Sequence, residues 1–209
     1  GAGGLASFLI AFVELMRGSL NFVNEISGLL GLVMGAFTFS GSMIAAGKLA
    51  NRLSQTPVQL KHHTFILGLN FLAVVGLMSF ALNGTLSLNI GVSVWVLIII
   101  AAALFGILFA IRVGGADMPV LISFLNATTG LAAALCGMVL SNNLLISCGA
   151  AVAASGSILT HVMCKAMNRS LYRVFVPLVH KKNKFPEKKS ESQPELEGKQ
   201  PSPKKLDPV

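Results

Sequence analysis

Charge is what this chain most lacks. Only 11% of its 209 residues are Asp, Glu, Lys or Arg. Between Gly18 and Cys164 there are six of them: Glu25, Lys48, Arg52, Lys61, Arg112 and Asp117. So few ionic groups cannot cover a water-facing surface, and the mean hydropathy of +0.74 points the same way. A soluble globular domain is excluded. Aromatic residues are also scarce, at 7%, and they do not alternate with basic ones. The formal net charge of +8 therefore does not describe a nucleic-acid surface, because Lys and Arg sit in short loops and in the tail and build no basic face. Cysteine is limited to Cys136, Cys148 and Cys164, an odd number lying inside apolar runs. Reduced, buried thiols are expected rather than a disulfide framework. No charged segment precedes the first apolar stretch, so no cleavable signal peptide is expected. The opening at Gly1, inside that stretch, reads as part of a longer product.

Long uncharged runs take the place of charge. Residues 64–89, 91–111 and 118–164 carry none, and about 20 such residues cross a hydrocarbon core roughly 30 Å thick. Lipid offers the backbone no hydrogen-bond partners, and these runs are too long for barrel strands, so helices are the remaining option. The expected fold is all-α: a polytopic transmembrane bundle of six spans, near 2–16, 26–47, 64–83, 90–111, 118–140 and 143–164. Lys48, Arg52 and Lys61 fall between the second and third, Arg112 between the fourth and fifth, and Lys165, Arg169 and Arg173 after the sixth. The turns "LNGTLSLN" and "SNN" have no cation, while Arg17 with Glu25 marks the first turn. Positive charge at every second loop places the C-terminus on the cytoplasmic or matrix side. A membrane domain over 1–173 is thus followed by a tail, 174–209, whose polar, aperiodic, proline-containing sequence predicts disorder.

Small residues let membrane helices approach closely. The second span has Gly28, Gly31, Gly35, Thr38 and Ser42; the fifth has Ser123, Asn126, Gly130 and Gly137, with Ala133 between; the sixth has Gly149, Ala153, Gly156 and Thr160. The first has Gly4, Ser7, Ala11 and Glu14. Spans three and four show nothing comparable, and "VWVLIIIAAALFGILFAI" reads as built to face lipid. The expectation is an inner group of spans one, two, five and six and an outer pair of three and four, against the alternative that such stripes recur by chance in Gly- and Ala-rich helices.

Polar residues on these stripes are the candidates for chemistry. Asp117 before Pro119 has the pattern of a helix start, with a side-chain acceptor for orphan N–H groups and a proline in the first turn. Asn126 lies nine residues further on, about 13 Å into the helix, where an amide either ties helices together or holds a water chain. Glu14, one turn from Arg17, is either an interfacial ion pair or part of a polar route. His161, one turn from Lys165, reads as an interfacial snorkelling side chain, and His62 and His63 as solvated loop residues. No catalytic, metal or cofactor-binding residue is assigned to the chain.

Three stretches carry a resemblance: "GGADMPVLISFLNATTG" (114–130), "AVAASGSILTHVMCKAMNRS" (151–170) and "GAFTFSGSMIAAGKL" (35–49). They resemble the membrane domain of proton-translocating NAD(P) transhydrogenase, in its beta subunit or the equivalent part of single-chain forms, over about residues 1–173. The resemblance implies that a proton crosses this domain while hydride passes between NADH and NADP+ in soluble domains. By position it places Asp117 at the cytoplasmic mouth of a proton path and Asn126 within it. Ser155 and Gly156 would couple the last helix to the NADP(H) domain. The family's "GSSG" reads "AASG" here (Ala153–Gly156), a common Tyr is His161, and the family's membrane histidine would fall before Gly1. No Gly-rich strand–turn–helix segment follows Ser170, so NADP and NAD are expected to act in the assembled enzyme and not to bind this chain alone. The implied partners are nucleotide-binding domains or subunits, membrane lipid and a second copy of the assembled unit, with no nucleic acid. The implied location is a bacterial or mitochondrial inner membrane. Two alternatives remain at this point: a small transporter or channel unrelated to redox chemistry, and a non-catalytic remnant subunit.

Overall fold

In the computed structural model, residues 1–18, 21–54, 63–83 and 88–168 are described. Within them the fold is all-α, with six helices: α1 (Ala2–Arg17), α2 (Phe22–Leu49), α3 (His63–Asn83), α4 (Leu88–Arg112), α5 (Met118–Val139) and α6 (Asn143–Ala166). A 3-10 turn, Gly115–Asp117, leads into α5. Five of the helices, α2 to α6, are long and apolar enough to cross a membrane; α1 is shorter, at 16 residues. The tail over 174–209, with Lys61, His62, Arg169 and Arg173, lies outside the described residues.

Local chemistry sets the helix ends. Gly18 ends α1 in the left-handed conformation at φ 68°, which glycine adopts without steric penalty. Asn51 and Asn168 follow α2 and α6 at φ 55° and 52°, in the region that asparagine tolerates best among residues bearing a Cβ. Asn142 caps α6 by accepting a hydrogen bond from the Leu145 N–H at 3.1 Å. Asp117 stands before α5 with Pro119 in the first turn, yet its carboxylate makes no capping hydrogen bond. The 3-10 turn leads the chain into the helix through backbone bonding, with the Asp117 N–H donating to the Gly114 carbonyl at 3.0 Å.

The centre is α2, which packs against α1, α4 and α5, while α3 docks on α4 and α6 on α5. This corrects the expected grouping in two places. Helix α4 is not a lipid-facing rod: Ile98, Ala102 and Ala110 are fully buried, and Gly106 meets α2 so closely that a Cβ there would collide with the Phe37 carbonyl and the Ser40 hydroxyl. Ala102, Gly106 and Ala110 form a small-residue stripe of spacing four inside the run "AAALFGILFAI". Helix α6, expected inside, buries one stripe (Gly149, Gly156, Thr160 and Cys164) and leaves most of its circumference exposed. Phenylalanine rings bind the middle of the bundle together: Phe71 on Phe105, Phe105 and Phe109 on Phe37, and Phe109 on Phe124, with centroids 5.4–6.0 Å apart. Offset and edge contacts of this kind favour aromatic pairs.

Candidate functional site

Helices α5 and α6 are joined backbone to backbone. A Cβ on Gly130 would stand 2.7 Å from the Ala153 nitrogen, one on Gly137 2.7 Å from the Ile146 nitrogen, and one on Gly149 2.5 Å from the Ala134 nitrogen. At Gly156 it would meet Ala127 at 2.9 Å. No side chain larger than hydrogen fits at these four positions without moving a helix. The seam on α5 is therefore Ser123, Ala127, Gly130, Ala134 and Gly137, at spacings of four and three. The expected stripe had placed Asn126 and Ala133 on it. Each lies one residue, about 100° of helix rotation, from the true seam position.

Asn126 is accordingly exposed. Among the described residues its amide has no hydrogen-bond partner, and it shares the open side of α5 with Pro119 and Ile122 and with partly covered Thr129 and Ala133. Thr129 faces the start of α1, where a Cβ on Gly3 would touch its methyl group. The α1–α2 and α5–α6 seams are closed by glycines against backbone, at Gly4 and Gly35 and at Gly130 and Gly149, and the polar amide looks out beside α1.

The seam itself holds two buried hydroxyls. Thr160 Oγ1 lies 3.0 Å from Ser123 Oγ and 2.8 Å from the Gly156 carbonyl, and Ser123 Oγ lies 3.2 Å from that same carbonyl. Two protons serve three contacts, so the set can exchange donors without losing satisfaction. Gly156, a candidate coupling residue, supplies the acceptor. Its neighbour Ser155 points outward, its hydroxyl donating to the Val152 carbonyl at 3.2 Å within its own helix.

Asp117 is half-buried at the start of α5. Met118 beside it is buried with Ala45 of α2, Ala110 of α4 and Val113, and Cys164 of α6 is buried with Val120 in the first turn of α5. Four helices thus meet around this end. Glu14 is elsewhere: it pairs with Arg17 at 2.9 Å, near the end of α1 where Leu15 packs over Gly28 and Val139 also approaches. That is the end of the bundle where α5 finishes, opposite Asp117, so Glu14 is not brought to the other candidates. The ion-pair reading fits its geometry.

Two polar residues escaped the sequence reading. Lys48, expected to be a loop cation, is 2% exposed, and its ammonium donates to the carbonyls of Ala110 at 3.2 Å, Ile111 at 2.6 Å and Val113 at 2.8 Å. The available signal was its place inside the last turn of α2, one turn after Ala45. Asn70 of α3 turns a shielded Oδ1 inward that has no hydrogen-bond partner among the described residues; as one amide in an uncharged run, it gave no spacing to read. Among the described residues no group of His, Cys, Asp and Glu is arranged to hold a metal.

Against known proteins, residues 1–206 match the profile of the NAD(P) transhydrogenase beta subunit family. The match runs past the 1–173 suggested by resemblance and includes most of the tail. The chain is 41% identical over 183 residues to NAD(P) transhydrogenase subunit beta of Rhodospirillum rubrum. The same subunit from a named strain of that species matches equally. The alignment covers 83% of this chain and 38% of the relative, so the chain spans well under half the length of the proteins it matches. An unrelated transporter or channel receives no support. A family profile over nearly the whole chain, a relative at this identity and five membrane-length apolar helices agree: this chain belongs to the NAD(P) transhydrogenase beta subunit family.

Proposed function

We propose that the chain forms part of the membrane domain of a proton-translocating NAD(P) transhydrogenase, where passage of a proton is coupled to hydride transfer between NADH and NADP+. NADP and NAD bind to nucleotide-binding domains or subunits of the assembly. The assembly is a dimer of the combined unit, embedded in lipid. The bacterial relative favours a bacterial inner membrane over a mitochondrial one.

The observation that carries this reading is Asn126. An amide about 13 Å inside a helix of this apolarity is costly against acyl chains unless it is hydrogen-bonded. Its exposure here therefore calls for protein or water beside it in the complete enzyme. The route runs along the open side of α5, past Asn126 and Thr129, with Asp117 at its mouth. Helix α6 carries the response outward. It rests on α5 through hydrogen and methyl contacts at Gly156, Gly149 and Gly130, and such a surface, with few bulky knobs, has two packings within reach of a small bias. Ser155 and Gly156 lie where that movement would begin, and Lys165 at the end of α6 faces the nucleotide-binding part.

Asn126→Leu in the assembled enzyme tests this. Proton uptake and hydride transfer, measured together in proteoliposomes, are expected to fall together by about tenfold to a hundredfold, the scale of losing a group that positions the water carrying the proton. Both reactions at wild-type rate would remove Asn126 from the route.

A further inference from the structure

We propose that Lys48 is a positioning residue for Asp117: its ammonium, held among the last carbonyls of α4, fixes the turn that delivers the Asp117 carboxylate to the start of α5. This rests on the proton-route reading above.

The last carbonyls of a helix have no donor within the helix and carry the negative end of its dipole. A left-handed glycine often closes such an end. Helix α4 has none, since Gly114 is extended at φ −74°, ψ 163°. The closing donors come from another helix. Lysine has three N–H groups, and Lys48 points them at Ala110, Ile111 and Val113 within 2.6–3.2 Å. Among the described residues no carboxylate forms an ion pair with it, so the attraction is spent on the helix end.

That clamp stands four residues from Asp117. Beyond Val113, the Asp117 N–H closes on Gly114, and Met118 is buried against Ala45, one turn before Lys48 on α2. The segment 113–118 is thereby held at both ends near the last turn of α2, which sets where its backbone presents Asp117. Methionine at position 48 would fill the space and supply no donor, leaving three shielded carbonyls unsatisfied. Arginine would restore charge and donors through a longer, planar group that does not reproduce a three-carbonyl fit.

The test is a double-mutant cycle in the assembled transhydrogenase carrying this chain, reconstituted in proteoliposomes, with proton uptake and nucleotide KM as readouts. Asp117→Asn is expected to lower proton uptake about tenfold or more, and Lys48→Met by a comparable factor with nucleotide KM unchanged. Combined, they should fall no further than Asp117→Asn alone, within about twofold, because Lys48 acts through Asp117. Lys48→Arg should recover part of the loss where Asp117 is kept and change nothing in the Asp117→Asn background. If Lys48→Met does not assemble, the Lys48→Arg pair closes the same cycle. Losses that multiply in the double variant, or Lys48 variants at wild-type rate, would overturn the proposal while leaving the proton route intact. Asp117→Asn at wild-type rate would refute Asp117's place in the route and Lys48's role with it.

Discussion

Ser123 and Thr160 show how little a single polar contact contributes at membrane depth and why the pair is nevertheless informative. Each hydroxyl is buried, at 6% and 3% exposure, and both lean on the Gly156 carbonyl. Interhelical hydrogen bonds in membranes contribute about 0.6 kcal/mol on average. Ser123→Ala and Thr160→Val are each expected to destabilise the chain by about that amount, measured by denaturant titration in detergent micelles. Together they should cost less than the sum, because they share one acceptor. A fully additive pair would mean that the two hydroxyls act separately. At this scale the sequence was informative about type and blind to azimuth. Both hydroxyls fell on the expected stripes, as did Gly130, Gly137, Gly149 and Gly156. Asn126 and Ala133 did not, because a heptad-like run of small residues in a Gly- and Ala-rich helix admits two registers one residue apart. Only the partner helix chooses between them, and Ala127 and Ala134 gave no reason in the sequence to be preferred.

Between elements, close approach matters more than bulk. Helix α6 is held by α5 along a line of glycines, and its other faces are open. Gly149→Leu would drive a side chain into the Ala134 backbone, where a Cβ alone already stands 2.5 Å away. Overpacking a tight contact costs about 1–3 kcal/mol, occasionally more, and α6 has little other contact to offset it. The expected result is preferential loss of α6, seen as faster proteolysis in the turn at Ser141–Asn142 while α1, α2 and α5 stay protected. Uniform loss of protection across all helices would contradict this division. The all-α, six-helix architecture was legible because uncharged runs of membrane-spanning length are broken by polar turns, with cations at every second one. The order of packing was less so. Helix α4 looked like a lipid-facing rod because its apolar bulk hid Ala102, Gly106 and Ala110, which bring it against α2. Helix α6 looked interior because it carries a small-residue stripe. One stripe secures one neighbour, and it says nothing about the remaining faces.

For the whole molecule, charge is sorted by end. Among the described residues, Lys48, Arg52, Arg112 and Lys165 share the end where Asp117 begins α5, and Arg17 paired with Glu14 marks the other. The loop pattern made this readable without coordinates, since orientation depends on where cations lie and not on how helices pack. The clamp made by Lys48 was not readable, because nothing in "AAGKL" says which carbonyls its ammonium will meet. The central claim is that water reaches α5 along its open side and is excluded from its seam with α6. Single cysteines at positions 126, 129, 127 and 134, in the assembled enzyme with Cys136, Cys148 and Cys164 replaced by Ala, test it by reaction with a small water-soluble thiol reagent. Thiolate forms only where water reaches, so positions 126 and 129 should react and positions 127 and 134 should not. Reaction at 127 and 134 with silence at 126 and 129 would contradict the account.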